Sequence, residues 1–143
     1  EGTLNPSKGS REMHTNFKLF NKNLKKRIKL KFPILLTEKL TEPVYDIDIL
    51  AFEGNLKNIV IRKRKISSNP DCGHIVVKNS KILKYSKSIV RKMSLSYLLD
   101  FDIMFDSRKN PKLIEINPRM SGSIAESYKK NIFLIDDLID LIL

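Results

Sequence analysis

Apolar and polar positions along this chain follow two rhythms. In "VYDIDILAF" (44–52) they alternate, setting Tyr45, Ile47 and Ala51 on one side and Val44, Asp46 and Asp48 on the other, as a strand requires. "EGN" (53–55) closes a hairpin into a second strand, "LKNIVIRKRKI". From about Lys81 to Ser94 the period lengthens. Ile82, Leu83, Ile89, Val90 and Met93 recur at helical spacing there. A second hairpin follows, "LDFDIMFD" (99–106) and "KLIEIN" (112–117), joined by "SRKNP" with its Asn-Pro turn signal. The closing segments "GSIAESYKK" and "LIDDLIDLIL" are helical by spacing. Upstream, "NPSKGSRE" (5–12) reads as a loop, and Asn16 as the N-cap of a helix to about Lys26, with Phe17, Phe20 and Leu24 on one face. "FPILLTEKL" (32–40) reads as a buried strand that turns polar at Thr37, and "SSNPDCGH" (67–74) as a loop. Two hairpins around one helix, with helices at the end, predict an α+β fold built on an antiparallel sheet.

The strand period also carries chemistry. Glu115 and Asn117 point to one face, while Leu113, Ile114 and Ile116 serve packing. A hairpin register that sets Asp102 across from Asn117 would join Asp102, Met104, Glu115 and Asn117 in one patch. Its hard oxygen donors come from neighbouring strands. Mg²⁺ favours one or two carboxylates plus substrate phosphates, so the patch suits a nucleotide-bound metal. The plainer alternative makes Glu115 an exposed strand residue, Asn117 a cap on the turn before Pro118, and Arg119 the partner of a nearby acid. Spacing alone does not separate the two.

Composition narrows the setting. A chain of 143 residues can bury its own core, and 41% hydrophobic with 30% charged residues is an ordinary globular balance. No apolar run is long enough to span a bilayer. The start, "EGTLNPSKGS", has neither an initiator Met nor a signal-peptide pattern and reads as a cut, which suggests a fragment. Cys72 is the single cysteine, so an internal disulfide is excluded and a reducing compartment, the cytoplasm, is expected. It lacks the paired spacing of a metal site and reads as a free thiol. Net charge is +11, from 27 basic and 16 acidic residues, and raises nucleic acid as a partner. The two densest basic clusters, "KNLKKRIKLK" (22–31) and "RKRK" (62–65), have no aromatic residues interleaved for base stacking, which disfavours it. His14 and His74 have no carboxylate at a readable spacing.

The order of these features resembles the ATP-grasp superfamily, in its carbamoyl phosphate synthetase large chain and carboxylate-amine ligase branch. The resemblance runs over essentially the whole chain and is most specific at "FDIMFDSRKNPKLIEINPRMSGS". It implies that Glu115 and Asn117 hold Mg²⁺, or Mn²⁺ in its place, and that Arg119 contacts phosphate as the catalytic cation. Met104 falls where relatives place a metal-binding Gln or Asp, leaving Asp102 as the substitute on that face. "ILLTEKLTEPVYDIDIL" resembles the strand and hinge that present Glu38, Lys39 and Leu40 to adenine. "NPSKGSREM" resembles a phosphate loop, with Ser10 and Arg11 toward ATP, and Arg64 falls on a strand whose arginines face phosphate. The domains implied are a partial lobe over 1–41 and the C-terminal lobe with the metal site over 42–143. The implied activity, in the intact parent protein, is an ATP- and Mg²⁺-dependent ligation of a small carboxylate to an amine through an acyl phosphate. A missing N-terminal lobe or domain would complete the cleft. A degenerate module that binds nucleotide weakly and a basic nucleic-acid-binding domain are the alternatives.

Overall fold

The computed structural model describes residues 4–7, 10–13, 37–130, 132 and 134–143. The chain divides into two compact units, Glu1–Lys39 and Leu40–Leu143. In the first, β1 (Leu4–Ser7) and β2 (Ser10–Met13) pair antiparallel with Ser7 opposite Ser10. The segment expected to be a loop over 5–12 is therefore a short hairpin, whose turn-forming residues also reach into its strands. The expected helix from Asn16 to Lys26, and the 32–36 part of the expected strand, lie outside the described residues. Residues 37–40 have no regular structure, so the strand expected there is not formed over them.

The second unit is built on a five-stranded antiparallel sheet of order β5-β4-β3-β6-β7. Its centre is β3 (Thr41–Phe52), flanked by β4 (Asn55–Ile66) and β6 (Tyr97–Phe105). The β3–β4 connection is a two-residue turn in which Glu53 (φ 46°) and Gly54 (φ 76°) are both left-handed, as a tight hairpin with right-handed strand twist demands. The Gly54 N–H donates to Leu95 O at 3.0 Å, and a Cβ on Gly54 would lie 3.4 Å from Ser94 Cα. Glycine thus serves both the turn and its packing.

The stretch expected to be a loop over 67–74 is largely strand. Ser67 and Ser68 turn the chain, and β5 (Asn69–Val76) pairs with β4, His74 opposite Arg64 and Val76 opposite Arg62. Its Asn, Pro, Asp and Gly suggested a loop, but an edge strand tolerates them because one row of its backbone groups needs no partner strand. Next, α1 (Ser80–Lys92) starts where Asn79 Oδ1 accepts from the N–H groups of Lys81 and Ile82, both at 3.1 Å. Its inner face is narrower than the apolar spacing suggested. Ile82 and Val90 are buried and Ile89 packs beside them, whereas Leu83 and Met93 are exposed.

Alternation decides what each face of the sheet does. Ile47, Ile49 and Ala51 of β3, Ile61 of β4, and Leu99, Phe101 and Ile103 of β6 form the core with Ile82 and Val90 of α1. On the opposite face, Leu50 and Val60 pack with Val76 of β5, Leu98 of β6 and Leu134 of α3 (Leu134–Ile142), and the same face also carries Asp46, Asp48 and Asp100, all buried. A short α2 (Ala125–Tyr128) precedes α3.

The last strand, β7 (Pro111–Asn117), meets β6 in a register two residues from the one expected. Asp102 lies opposite Glu115, and Asp100, not Asp102, lies opposite Asn117. Met104 faces Lys112, toward the turn. A bulge explains a second difference. Ile103 pairs with Leu113 while Asp102 pairs with Glu115, so Ile114 is the extra residue. Strict alternation would put Leu113 on the face of Glu115, whereas the bulge lets Leu113 and Ile116 both pack on the core and leaves Ile114 exposed.

Phe101, fully buried at the centre of that core, sets the expected stability cost. Phe101→Ala should destabilise the protein by about 3–5 kcal/mol in chemical denaturation. A loss below 1 kcal/mol would show that the sheet does not pack through this residue.

Candidate functional site

The polar face is organised by two cross-strand pairs of aspartates. Asp46 on β3 lies opposite Asp102 on β6, and Asp48 lies opposite Asp100, one pleat along. Strand period puts all four on one face, where each pair brings like charges close together. β4 supplies the answer from the other side, since Arg62 and Arg64 alternate with lysines that point away.

Arg64 bridges one pair. Its Nε donates to both Asp46 oxygens at 2.9 Å, and its Nη2 reaches Asp102 Oδ2 at 2.8 Å. His74 Nε2 also meets Asp46 Oδ2, so a histidine without a carboxylate near it in sequence gains one through the β4–β5 register. Burial pushes Asp46 upward, but the hydrogen bond and charge of Arg64, with Asp102 and His74, hold it below the usual carboxylate range. Arg64 in turn is held above its ordinary value, its burial overcome by Asp46 and Asp102.

Arg62, completely buried, serves the other pair only in part. Its Nη2 lies 2.7 Å from Asp48 Oδ2 and donates to Ser121 Oγ at 2.8 Å, while Nη1 donates to the Ser123 carbonyl. Ser127 Oγ donates to the same Asp48 oxygen at 3.4 Å. The Arg62–Asp48 pair therefore ties the segment after β7 to the middle of the sheet. Asp100 receives less. Arg119 Nη1 stands 3.5 Å from its Oδ2 on a side chain that is 59% exposed, and also donates to the Met120 carbonyl at 2.8 Å. Burial, then the charges of Asp48 and Asp46, push the Asp100 carboxyl up to about 6. Asp102 is also raised to about 6, by burial against the pull of Arg64.

The expected metal residues come together here. Asp102 and Glu115 are cross-strand partners, and Asn117 Nδ2 donates to Glu115 Oε1 at 2.5 Å, which leaves the Asn117 carbonyl oxygen as an acceptor. Among the described residues no three His, Cys, Asp or Glu side chains are gathered into a ready cage. The set nevertheless fits Mg²⁺, which takes few protein oxygens and completes its shell with phosphate and water. Arg119 stands two residues beyond Asn117, at the rim. The other expected nucleotide residues are spread out. Ser10 and Arg11 open β2 in the first unit, and Glu38, Lys39 and Leu40 lie where one unit passes into the next. Arg64 is engaged by carboxylates rather than free on the surface. Sequence reasoning passed over Asp100, Asp46, Arg62 and His74. Asp100 was visible as the partner of Asp102 by strand period; His74 was hidden by the loop assignment.

A solved structure described as L-amino acid ligase from Bacillus licheniformis superposes with a TM-score of 0.53 at 16% identity, over 83% of this chain and 32% of that one. The likeness is one of fold, and the chain spans about a third of that ligase. A search of curated proteins gives no match in sequence. The family model described as "ATP-grasp in the biosynthetic pathway with Ter operon" matches residues 31–143, and the chain belongs to that family.

The raised aspartates fix a pH dependence. A carboxyl with a native value near 6 and an ordinary value of 3.8 binds its proton more tightly when folded, so stability falls as pH rises between those values and is level above them. Asp46, with a lowered value, contributes stability that is lost only as pH falls below its ordinary range. Asp100→Asn removes one raised group. Relative to wild type, the variant should therefore gain on the order of 2 kcal/mol between pH 4.5 and pH 7 in chemical denaturation. A pH-independent difference would contradict the burial of an ionised Asp100.

Proposed function

We propose that this chain is the C-terminal portion of the ATP-grasp module, a partial lobe over 1–41 and the C-terminal lobe over 42–143, of an ATP- and Mg²⁺-dependent ligase that joins a small carboxylate to an amine through an acyl phosphate. The branch is that of the carbamoyl phosphate synthetase large chain and the carboxylate-amine ligases. One observation carries the reading: Asp102, Glu115 and Asn117 share one sheet face beside the exposed guanidinium of Arg119, in a chain of the ATP-grasp family. The reaction belongs to the whole protein, of which this chain supplies one wall of the cleft; the remaining lobe is the partner that would complete it.

In this assignment Asp102, Glu115 and Asn117 hold the metal, whose chemistry when bound is to neutralise phosphate charge. Arg119 offers a planar fork to the transferred phosphoryl group, and can leave Asp100 because that contact is long and solvent-exposed. The resemblance assigns Glu38, Lys39 and Leu40 to adenine, and Ser10 and Arg11 to phosphate. Arg64 acts on nucleotide through Asp102, by holding that carboxylate in place. No enzyme nucleophile is required, because positioning and charge neutralisation carry the reaction. The cytoplasm is the proposed setting, from the single exposed thiol of Cys72.

Titration of Mg²⁺ into the full-length protein holding a non-hydrolysable ATP analogue tests the metal assignment. Glu115→Gln should weaken Mg²⁺ by at least the roughly tenfold that loss of even an outer partner costs, with the unfolding midpoint unchanged because Glu115 is exposed. Equal Mg²⁺ affinity in variant and wild type would remove Glu115 from the site. Arg119→Lys keeps the charge and loses the fork, and should lower turnover while leaving Mg²⁺ affinity intact; unaltered turnover would deny Arg119 its phosphate contact.

A further inference from the structure

The two aspartate pairs are neighbours on the same two strands, yet they are neutralised differently. Between Asp46 and Asp102 a single guanidinium, that of Arg64, touches both carboxylates. Among the described residues no single guanidinium hydrogen-bonds both Asp48 and Asp100. Arg62 reaches Asp48 through Oδ2 alone, and Arg119 approaches Asp100 through Oδ2 alone at 3.5 Å. Asp48 Oδ1 and Asp100 Oδ1 are both buried and without a hydrogen-bond partner. The two residues are only 2% and 7% exposed, so bulk water does not solvate them. Arg62 Nε, on the side chain that already meets Asp48, is unpartnered as well. The Asp100 oxygen has no such neighbour among the contacts of its pair.

A buried carboxylate oxygen left without a donor costs far more than one that is paired. The pair therefore lacks a bridging cation of the kind Arg64 supplies one pleat away. We propose that the Asp48–Asp100 pair receives the primary ammonium group of the amine substrate, beside the metal position at Asp102, Glu115 and Asn117. This rests on the ligase reading of the site and names where its second substrate is held. An ammonium suits the place better than a second divalent ion. Two unpartnered carboxylate oxygens are too few ligands for Mg²⁺, whereas an ammonium has three donors to divide between them. Among the described residues the way in lies on the side of the exposed Arg119 side chain, because the Ser121–Ser127 side is tied down by Arg62 and Asp48. Movement of Arg119 to phosphate would open the subsite once nucleotide is in place.

The test uses the full-length protein with Mg²⁺ and a non-hydrolysable ATP analogue, and two probes followed by ligand-observed NMR. Methylammonium offers three N–H donors; tetramethylammonium carries the same charge with none. Methylammonium should bind at least about tenfold more tightly than tetramethylammonium, as charged hydrogen bonds require, and Asp100→Asn should abolish that preference. Because Asp100→Asn keeps the shape, and Asp100→Glu keeps the charge, restoration of part of the preference by Asp100→Glu would tie it to the carboxylate. Equal binding of both probes, or a preference that survives in Asp100→Asn, would overturn the subsite. Affinity for the ATP analogue, measured separately, keeps the two ideas apart. Failure of wild type to bind the analogue would remove the ligase reading, whereas analogue binding without methylammonium preference would remove the ammonium site alone.

Discussion

Four aspartates set side by side on adjacent strands are tolerable only if cations are built into the same face. That constraint shapes the second unit. Asp46, Asp48, Asp100 and Asp102 are largely buried, and burial without counter-charge would cost several kcal/mol for each ion. β4 therefore cannot be any strand with a suitable apolar inner face. It must carry Arg62 and Arg64 outward while Ile61 packs inward, and this antiparallel neighbour of β3 does so. The edge strand β5 contributes His74 to the same network. The strongly positive chain thus places Arg62 and Arg64, the guanidiniums paired with Asp46, Asp48 and Asp102, inside.

The helix-packed face and the charged face depend on each other through the β6–β7 bulge. One inserted residue, Ile114, lets Leu113 and Ile116 both serve the core while Glu115 and Asn117 stay with the aspartates. Without it, either the core would lose a contact or Glu115 would turn away from Asp102. The bulge accordingly reconciles packing with chemistry at the end of one strand.

The sheet was legible in the sequence because β3, β4, β6 and β7 alternate cleanly and their hairpin turns are marked by Glu-Gly-Asn and Ser-Arg-Lys-Asn-Pro. The helix over Ser80–Lys92 was legible from its apolar spacing and the Asn79 cap. β5 was not, since Pro70 and Gly73 are loop-formers anywhere except at an edge. At the site, the common face of Glu115 and Asn117 followed from strand period, whereas the place of Asp102 beside them hung on a register that proved two residues off. Register depends on where a bulge falls, and Leu-Ile-Glu-Ile contains nothing local that marks Ile114 as the extra residue. The pairing of Arg62 with Ser121 and Ser123 was equally hidden, because it joins segments 59 and 61 residues apart.

That last separation bears on how the molecule assembles. The β3–β4 hairpin closes through a two-residue turn, so it can form early and cheaply, with Arg62 and Asp48 still wet. The hydroxyl and carbonyl that complete Arg62 arrive only after β6, the bulged β7 and the turn beyond Asn117 have been laid down. The contacts of Arg62 with Ser121 and Ser123 therefore need the segment beyond β7 to be present. A nascent chain released before Ser123 would carry a finished hairpin around a guanidinium still waiting for its acceptors.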